Sequence, residues 1–353
     1  LSYVYTNKMS RSQESVVDMQ ETDDQDKSVT DRMTFRIYVK AYWMDYLLLA
    51  IMGGLGLGIY YLRPVPSRLF PVYFANGQIV NPEYSYPFRK DIIPIWLAAL
   101  LSFIIPVAFI LLMQIRLRSF RDANAGILGL LYSLVSAAVF QVFIKWLIGG
   151  LRPHFFSVCK PSINSSDYGI GEGFNGLLFD RSICTGDTKQ INDALESLPS
   201  GHSTAAFAGL VYCSLYLNGK LKIFANYRPQ YWKLVLFYAP LLGASLISLS
   251  LTIDHYHHWY DILVGAIIGL MFAFGSYRFQ YASVWDYRFN HIPLPRENTN
   301  DGFDYSLNHL ESSLSASKKG GWKSEHIYGA AFDATATLSN LKVIESIATE
   351  MRL

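Results

Sequence analysis

The chain has 353 residues, of which 51% are hydrophobic and 15% aromatic; only 16% are charged, and the formal net charge is +2. These proportions exclude the usual balance of a soluble globular domain. They point to a polytopic membrane protein that has the bilayer for surroundings and no nucleic acid as partner.

In chain order, residues 1–35 form a first tail, with Ser, Gln, Asp and Glu abundant through residue 31 and no sustained apolar periodicity. Such a segment cannot bury enough surface to order itself. Six stretches then approach or exceed the roughly 18 apolar residues that cross a hydrocarbon core: 41–62, 92–115, 124–148, 202–218, 234–252 and 260–281. Lipid cannot satisfy a backbone's N–H and C=O groups, so each is expected to be a helix and the fold class all-α. Gly53, Gly54, Gly56 and Gly58 in the first stretch are expected to allow close helix packing, and Pro106 to kink the second. The fourth is the most polar, since Gly201, His202, Ser203 and Thr204 dilute its start; that suits a helix whose first turn lines a site. The domain is expected to span residues 36–282. Residues 283–353 form a second polar tail, with one short amphipathic stretch near Leu338–Met351. Neither end reads as a cleaved signal peptide.

Positive residues fix the expected orientation. Arg32, Arg36 and Lys40 precede the first helix, Arg116, Arg118 and Arg121 fill the loop after the second, and Lys220, Lys222, Arg228 and Lys233 the loop after the fourth. Those stretches and both termini are therefore expected in the cytoplasm. Loops 63–91, 149–201 and 253–259 face the lumen or exterior. The loop 149–201 holds Cys159 and Cys184, which an oxidising compartment would let bridge; the alternative is two free thiols that share a loop. It also holds the sequon Asn164-Ser165-Ser166.

The outward loops collect the residues that carry chemistry. Lys145 and Arg152, seven apart, project from one side if the third helix continues through them. A guanidinium fork binds phosphate oxygens through paired hydrogen bonds and an ammonium adds a point charge, although a lone lysine at a helix end more often snorkels to water. Pro199-Ser200-Gly201-His202 precedes an apolar run, and the N–H groups of such a turn cradle an anion; the plain alternative is a serine cap followed by an exposed histidine. In Asp254-His255-Tyr256-His257-His258-Trp259-Tyr260-Asp261, the spacing of His257 and Asp261 lets the carboxylate fix one imidazole tautomer and frees the other nitrogen to attack phosphorus. His258 is the rival nucleophile, with Ile262 at the matching position. Tyr256, Trp259 and Tyr260 suit an interfacial aromatic belt. A metal site built from these histidines and aspartates ranks lower, because it leaves Lys145, Arg152 and Ser200 unused.

The three-part pattern Lys-x6-Arg-Pro, Pro-Ser-Gly-His and Ser-x6-His-x3-Asp resembles the type 2 phosphatidic acid phosphatase superfamily over residues 36–282. With Tyr86-Pro87-Phe88, the chain looks most like eukaryotic lipid phosphate phosphatases and fungal diacylglycerol pyrophosphate phosphatases. The resemblance implies a six-helix membrane phosphatase domain that hydrolyses a phospholipid phosphate without a metal or other cofactor, through a phosphohistidine. It implies that Lys145, Arg152, Ser200 and Gly201 bind phosphate, that His257 attacks, that Asp261 orients it, and that His202 protonates the leaving alkoxide. Phosphatidate, lysophosphatidate, diacylglycerol pyrophosphate and sphingoid base phosphates are the expected substrates.

One position departs from the pattern, since Leu251 stands where the family's third motif carries arginine. Loss of one such stabilising donor typically costs about 100- to 1000-fold in rate. His255 or a cation from the outward loops are candidate substitutes. Two further readings stay open: a weakened or inactive lipid-binding relative, and a phosphohead-group transferase of sphingolipid metabolism. Endoplasmic reticulum, Golgi, vacuole and plasma membrane all accommodate the topology, and oligomeric state is not legible.

Overall fold

A computed structural model describes residues 35–64, 68–167 and 169–294. The expectations for residues 1–34 and 295–353 lie outside them. Eight helices are described: α1 Phe35–Tyr60, α2 Ile95–Leu117, α3 Phe120–Leu147, α4 Phe155–Cys159, α5 Thr188–Ala194, α6 Gly201–Leu221, α7 Tyr231–Ile253 and α8 Trp259–Gln280. The only strands among these residues are β1 Phe70–Pro71 and β2 Leu178–Phe179, paired antiparallel. The six long helices overlap the six expected stretches, and the fold is all-α in kind.

The chain divides into two units, residues 1–51 and 52–353. In the first, Tyr38 stacks near Tyr42 with ring centroids 4.9 Å apart, and its hydroxyl shares a hydrogen bond with Tyr46 at 2.5 Å. In the second, α6 is central and packs against α2, α3, α7 and α8.

Five helices are long and apolar enough to cross a membrane, and α6 is not among them. The reason is position. From His202 to Leu221 every residue but Ala205 and Phe207 is buried by protein, so it needs no lipid-facing surface and tolerates Ser203, Thr204, Ser214 and Asn218. Ser214 is satisfied by donating to the Phe237 carbonyl at 2.9 Å.

Of the four glycines expected to allow close packing, Gly56 does so, since a Cβ there would lie 3.1 Å from Val139 Cγ2, but the tightest approaches fall at other glycines. Among the described residues, a Cβ at Gly53, Gly54 or Gly58 would meet nothing within 4 Å. At Gly209 a Cβ would lie 2.1 Å from the Ser102 carbonyl, and at Gly265 and Gly269, four apart on α8, it would lie 2.6 and 2.7 Å from the Ser200 and Thr204 carbonyls. Small residues at that spacing let two backbones touch, and here they draw α6 between α2 and α8. The helical segment α2 runs through Pro106, which is buried.

At one end of the bundle, the loops after α1 and α3 build a cap with its own core of Phe70, Val72, Phe155, Val158, Phe179 and Ile191. The β1–β2 pair joins the two loops, and a disulfide links Cys159 to Cys184. At the other end residues 281–294 fold back: Ala282 N–H donates to Ile292 O at 3.0 Å and Leu294 N–H to Gln280 O at 2.8 Å. Lys220 there ion-pairs with Asp122 and donates to the His291 carbonyl at 2.8 Å, and Lys222 donates to Asn290 Oδ1 at 3.1 Å. Two of the lysines in that cationic loop thus also pin a strap that polarity alone had assigned to the tail.

Candidate active site

The expected continuation of α3 through Arg152 does not occur. The helix ends at Leu147, and Gly149 and Gly150 follow with φ of +53° and +138°. A Cβ at Gly149 would also lie 2.6 Å from the Leu195 carbonyl, so two conditions require glycine there. The turn lays the chain along residues 194–198: Gly150 N–H donates to Leu195 O at 2.8 Å and Arg152 N–H to Ala194 O at 2.9 Å. Lys145 and Arg152 therefore meet by a backbone turn rather than by helical register.

Both line a cavity of about 1000 Å³ together with Gly201, His202 and His257. Three sequence-distant clusters open into the same space. The cavity continues along α3 past Val142, Val139 and Val135, opposite Gly53 and Leu57 of α1. From Lys145 to Val135 is about 15 Å at helical rise, so a charged end grades into an apolar slot.

Ser200 is fully buried and is not among the residues lining that space. Its side chain caps α6 by accepting from Ser203 N–H at 3.4 Å, and its own N–H donates to the Asp261 carbonyl at 3.1 Å. It holds the turn from behind, and Gly201 presents the first turn of α6 to the cavity. His202 Nε2 lies 2.8 Å from the Ile93 carbonyl and 4.0 Å from Asp91 Oδ2, so the segment before α2 fixes this ring.

Asp261 lies at the third position of α8, in a capping box with His258. Its Oδ2 accepts from His258 N–H at 3.0 Å and from the Ser197 hydroxyl at 2.5 Å. It is 3.5 Å from His257 Nδ1 and 3.4 Å from His258 Nδ1. Spacing alone thus fails to separate the two histidines, because the cap brings the carboxylate to both. The cavity separates them: His257 lines it, and His258 is stacked on Tyr260 with ring centroids 4.8 Å apart. Burial pushes the His257 imidazole down to about 3, with Asp261 acting to raise it and Arg152 and Lys145 to lower it further. It is a neutral base at ordinary pH.

Two members of the site escaped the motif reading. Asp193 on α5 accepts from Arg152 Nη2 at 2.8 Å and from the Tyr256 hydroxyl at 2.9 Å. Burial acts to raise its carboxyl, but Arg152 and Lys145 outweigh this and hold it below the usual range. Tyr256, expected in an aromatic belt, instead lies under Arg152, whose guanidinium carbon is 4.1 Å from the ring centroid. Trp259 is 70% exposed.

Leu251 is fully buried, and its carbonyl accepts from the Tyr256 N–H at 3.0 Å. It is not among the cavity residues, which do include two cations from the loops, Arg63 and Lys189. His255 is stacked on Tyr86, ring centroids 3.9 Å apart, and is not among them either.

Comparison with known proteins agrees with this geometry. The PAP2 superfamily model matches residues 126–285, a span that includes all three clusters. A PA-phosphatase related-family protein of Dictyostelium discoideum is 33% identical over 254 residues, covering 71% of this chain and 72% of its own length. Lipid phosphate phosphatase 2 of Arabidopsis thaliana is 36% identical, covering 65% and 73%. Diacylglycerol pyrophosphate phosphatase 1 of Saccharomyces cerevisiae is 31% identical, covering 77% and 89%. No solved structure matches. With its motifs gathered around a cavity and relatives aligned over most of their lengths, the chain belongs to the PAP2 superfamily.

Proposed function

We propose that the protein is a multi-pass membrane phosphatase that hydrolyses the phosphomonoester of a lipid, and that its cap faces the lumen or exterior. The observation that carries this reading is the graded cavity, histidine-lined and charged at the cap end, where Arg63, Lys145, Arg152 and Lys189 outnumber Asp91, Asp193 and Glu196, and apolar along α1 and α3. A phosphate head and an acyl chain fit those two ends. Phosphatidate, lysophosphatidate, diacylglycerol pyrophosphate and sphingoid base phosphates share that shape.

In the mechanism, Lys145, Arg152 and the amide of Gly201 hold the phosphoryl oxygens, with Ser200 fixing the turn. His257 attacks phosphorus as a neutral imidazole; the P–N bond forms as the P–O bond to the lipid breaks. Asp261 holds the opposite ring nitrogen and stabilises the cation that develops. His202, its Nε2 held by the Ile93 carbonyl, protonates the leaving alkoxide through Nδ1 as an imidazolium. The arriving phosphate dianion must favour that form, because burial pushes this ring down to about 4. The neutral ring then takes a proton from the water that hydrolyses the phosphohistidine. Phosphoryl transfer of this kind asks mainly for positioning and charge stabilisation. A weakened enzyme is the second reading, because Leu251 places an apolar side chain where the family's motif has a cation.

The test is phosphate release from phosphatidate in mixed micelles with excess chelator. Wild type turns over, His257→Ala loses at least about 1000-fold, and His258→Ala retains most activity. Retained activity in His257→Ala overturns the nucleophile. Wild type that binds phosphatidate without turnover selects the non-catalytic reading, and activity lost to chelator selects a metal mechanism.

A further inference from the structure

The Arg152 side chain is only 3% exposed, yet its Nε and Nη1 have no partner. Buried donors on a charged group are costly to leave unmade, so these two nitrogens are satisfied only with a ligand. The third nitrogen is engaged. Nη2 donates to Asp193 Oδ1 at 2.8 Å, Asp193 Oδ2 accepts from the Tyr256 hydroxyl at 2.9 Å, and the Tyr256 ring lies beneath the guanidinium. All three residues line the same cavity as Lys145, His202 and His257.

We propose that Asp193 and Tyr256 form a clamp that fixes the Arg152 guanidinium so that its free donors meet the phosphate, and sets its distance from the nucleophile. Asp193 is in this account a positioning residue. The proposal rests on the phosphatase reading of the site.

Three features give the clamp its rigidity. Helix α5, which carries Asp193, is capped by Asp187, whose carboxylate accepts from Gln190 N–H at 2.9 Å. The backbone of Arg152 is tied to the same helix through Ala194 O at 2.9 Å. Tyr256 is the immediate neighbour of His257, so the ring that supports the phosphate-binding fork shares a peptide bond with the attacking imidazole. A guanidinium loses less freedom per bond formed when it is already oriented, and a phosphate arriving there finds free charged donors in place.

A rival role exists for the same carboxylate. Asp193 could occupy Arg152 as a surrogate anion and be displaced by substrate, in which case its removal would tighten phosphate binding. The two roles differ in sign, and that difference is the test.

The full chain, purified in detergent, is titrated with inorganic phosphate while its thermal unfolding is followed, and the same preparations are assayed on phosphatidate. The clamp predicts that Asp193→Asn needs about tenfold more phosphate for half-maximal stabilisation, a loss in the range of one charge-assisted hydrogen bond. Its kcat/KM falls by at least that factor, and Asp193→Glu recovers part of both. Tyr256→Phe keeps the ring and removes the hydroxyl, so it reads out the clamp even if Asp193→Asn folds poorly; a shift of about threefold or more is expected. Unchanged or tighter phosphate binding in both variants, with wild type active, overturns the clamp and leaves the phosphatase reading standing. Wild type with neither stabilisation nor turnover overturns the reading beneath it.

Discussion

At His257 one imidazole meets burial, a carboxylate and two cations at once, and the balance is a neutral ring. His154 is also driven down by burial, to about 4, with its Nδ1 3.1 Å from the His255 carbonyl. A histidine whose folded value lies below its unfolded value of about 6.5 takes up a proton only on unfolding. Stability is therefore complete above pH 7 and declines as pH falls through 6.5 toward the folded value. Between pH 7 and pH 5.5 each such group removes about 1 kcal/mol. Comparing the thermal unfolding of wild type and His257→Gln at those two pH values isolates one group, and the variant is expected to lose about 1 kcal/mol less. Equal losses would mean that the ring titrates in the folded protein as it does in the unfolded chain. Because the folded ring stays neutral throughout this window, an acidic limb of kcat near pH 6 would have to arise from another group. At this scale the sequence exposed the residue types and their order, since His257, Asp261, Lys145 and Arg152 follow a motif. It could not expose Asp193 or the position of Tyr256, because an ion pair between residues 41 apart leaves no local pattern.

Among the elements, α8 and α6 set the distance between His257 and the turn at Ser200–Gly201. Gly265 is one turn below Asp261, and a Cβ there would meet the carbonyl of Ser200, the residue that also caps α6. Backbone against backbone cannot yield as a side chain can. Gly265→Ala is expected to push the His257–Asp261 segment from the anion turn, lowering kcat/KM by about 100-fold, as displacements near 1 Å do, and costing about 1–3 kcal/mol of stability. Gly275 on the same helix is the internal control, since a Cβ there meets nothing within 4 Å among the described residues. Gly275→Ala should leave activity unchanged. If both variants behave alike, the tight contact is not what positions the site. Hydropathy revealed the helices because burial in lipid demands long apolar runs. It picked out Gly56 together with three glycines that meet nothing within 4 Å among the described residues, and missed Gly209, Gly265 and Gly269, since a small residue reads the same whether or not a neighbour crosses it. It also showed α6 only faintly, because a helix surrounded by protein is released from the requirement that made the others visible.

For the whole molecule, the reading requires that the cap and the strap of residues 281–294 lie on opposite sides of a bilayer. The five apolar helices and central α6 are each long enough to span, and six passes return the chain to the side from which it started. Arg121 and Lys220 at the strap end are bound to it, Arg121 Nη2 donating to Pro293 O at 3.3 Å. These charges therefore serve packing as well as orientation, which weakens a count of lysines as the sole guide. The cap supplies an independent one. Asn164 is exposed within Asn164-Ser165-Ser166, and the Cys159–Cys184 bridge is in the same cap. A glycan is attached only in the secretory lumen, and a disulfide persists there but not against cytosolic thiols. Expressed in a eukaryotic cell, the protein is expected to lose apparent mass when its N-glycans are removed enzymatically, and Asn164→Gln to run at the deglycosylated position from the start. The same membranes, alkylated before reduction, should show Cys159 and Cys184 protected. Absence of the glycan together with free thiols would invert the topology, and with it the compartment whose lipids reach His257. A glycan at Asn164 would instead place the phosphate-binding end on the lumenal or external leaflet, so that any lipid made in the cytoplasmic leaflet would have to cross the bilayer before it could be dephosphorylated.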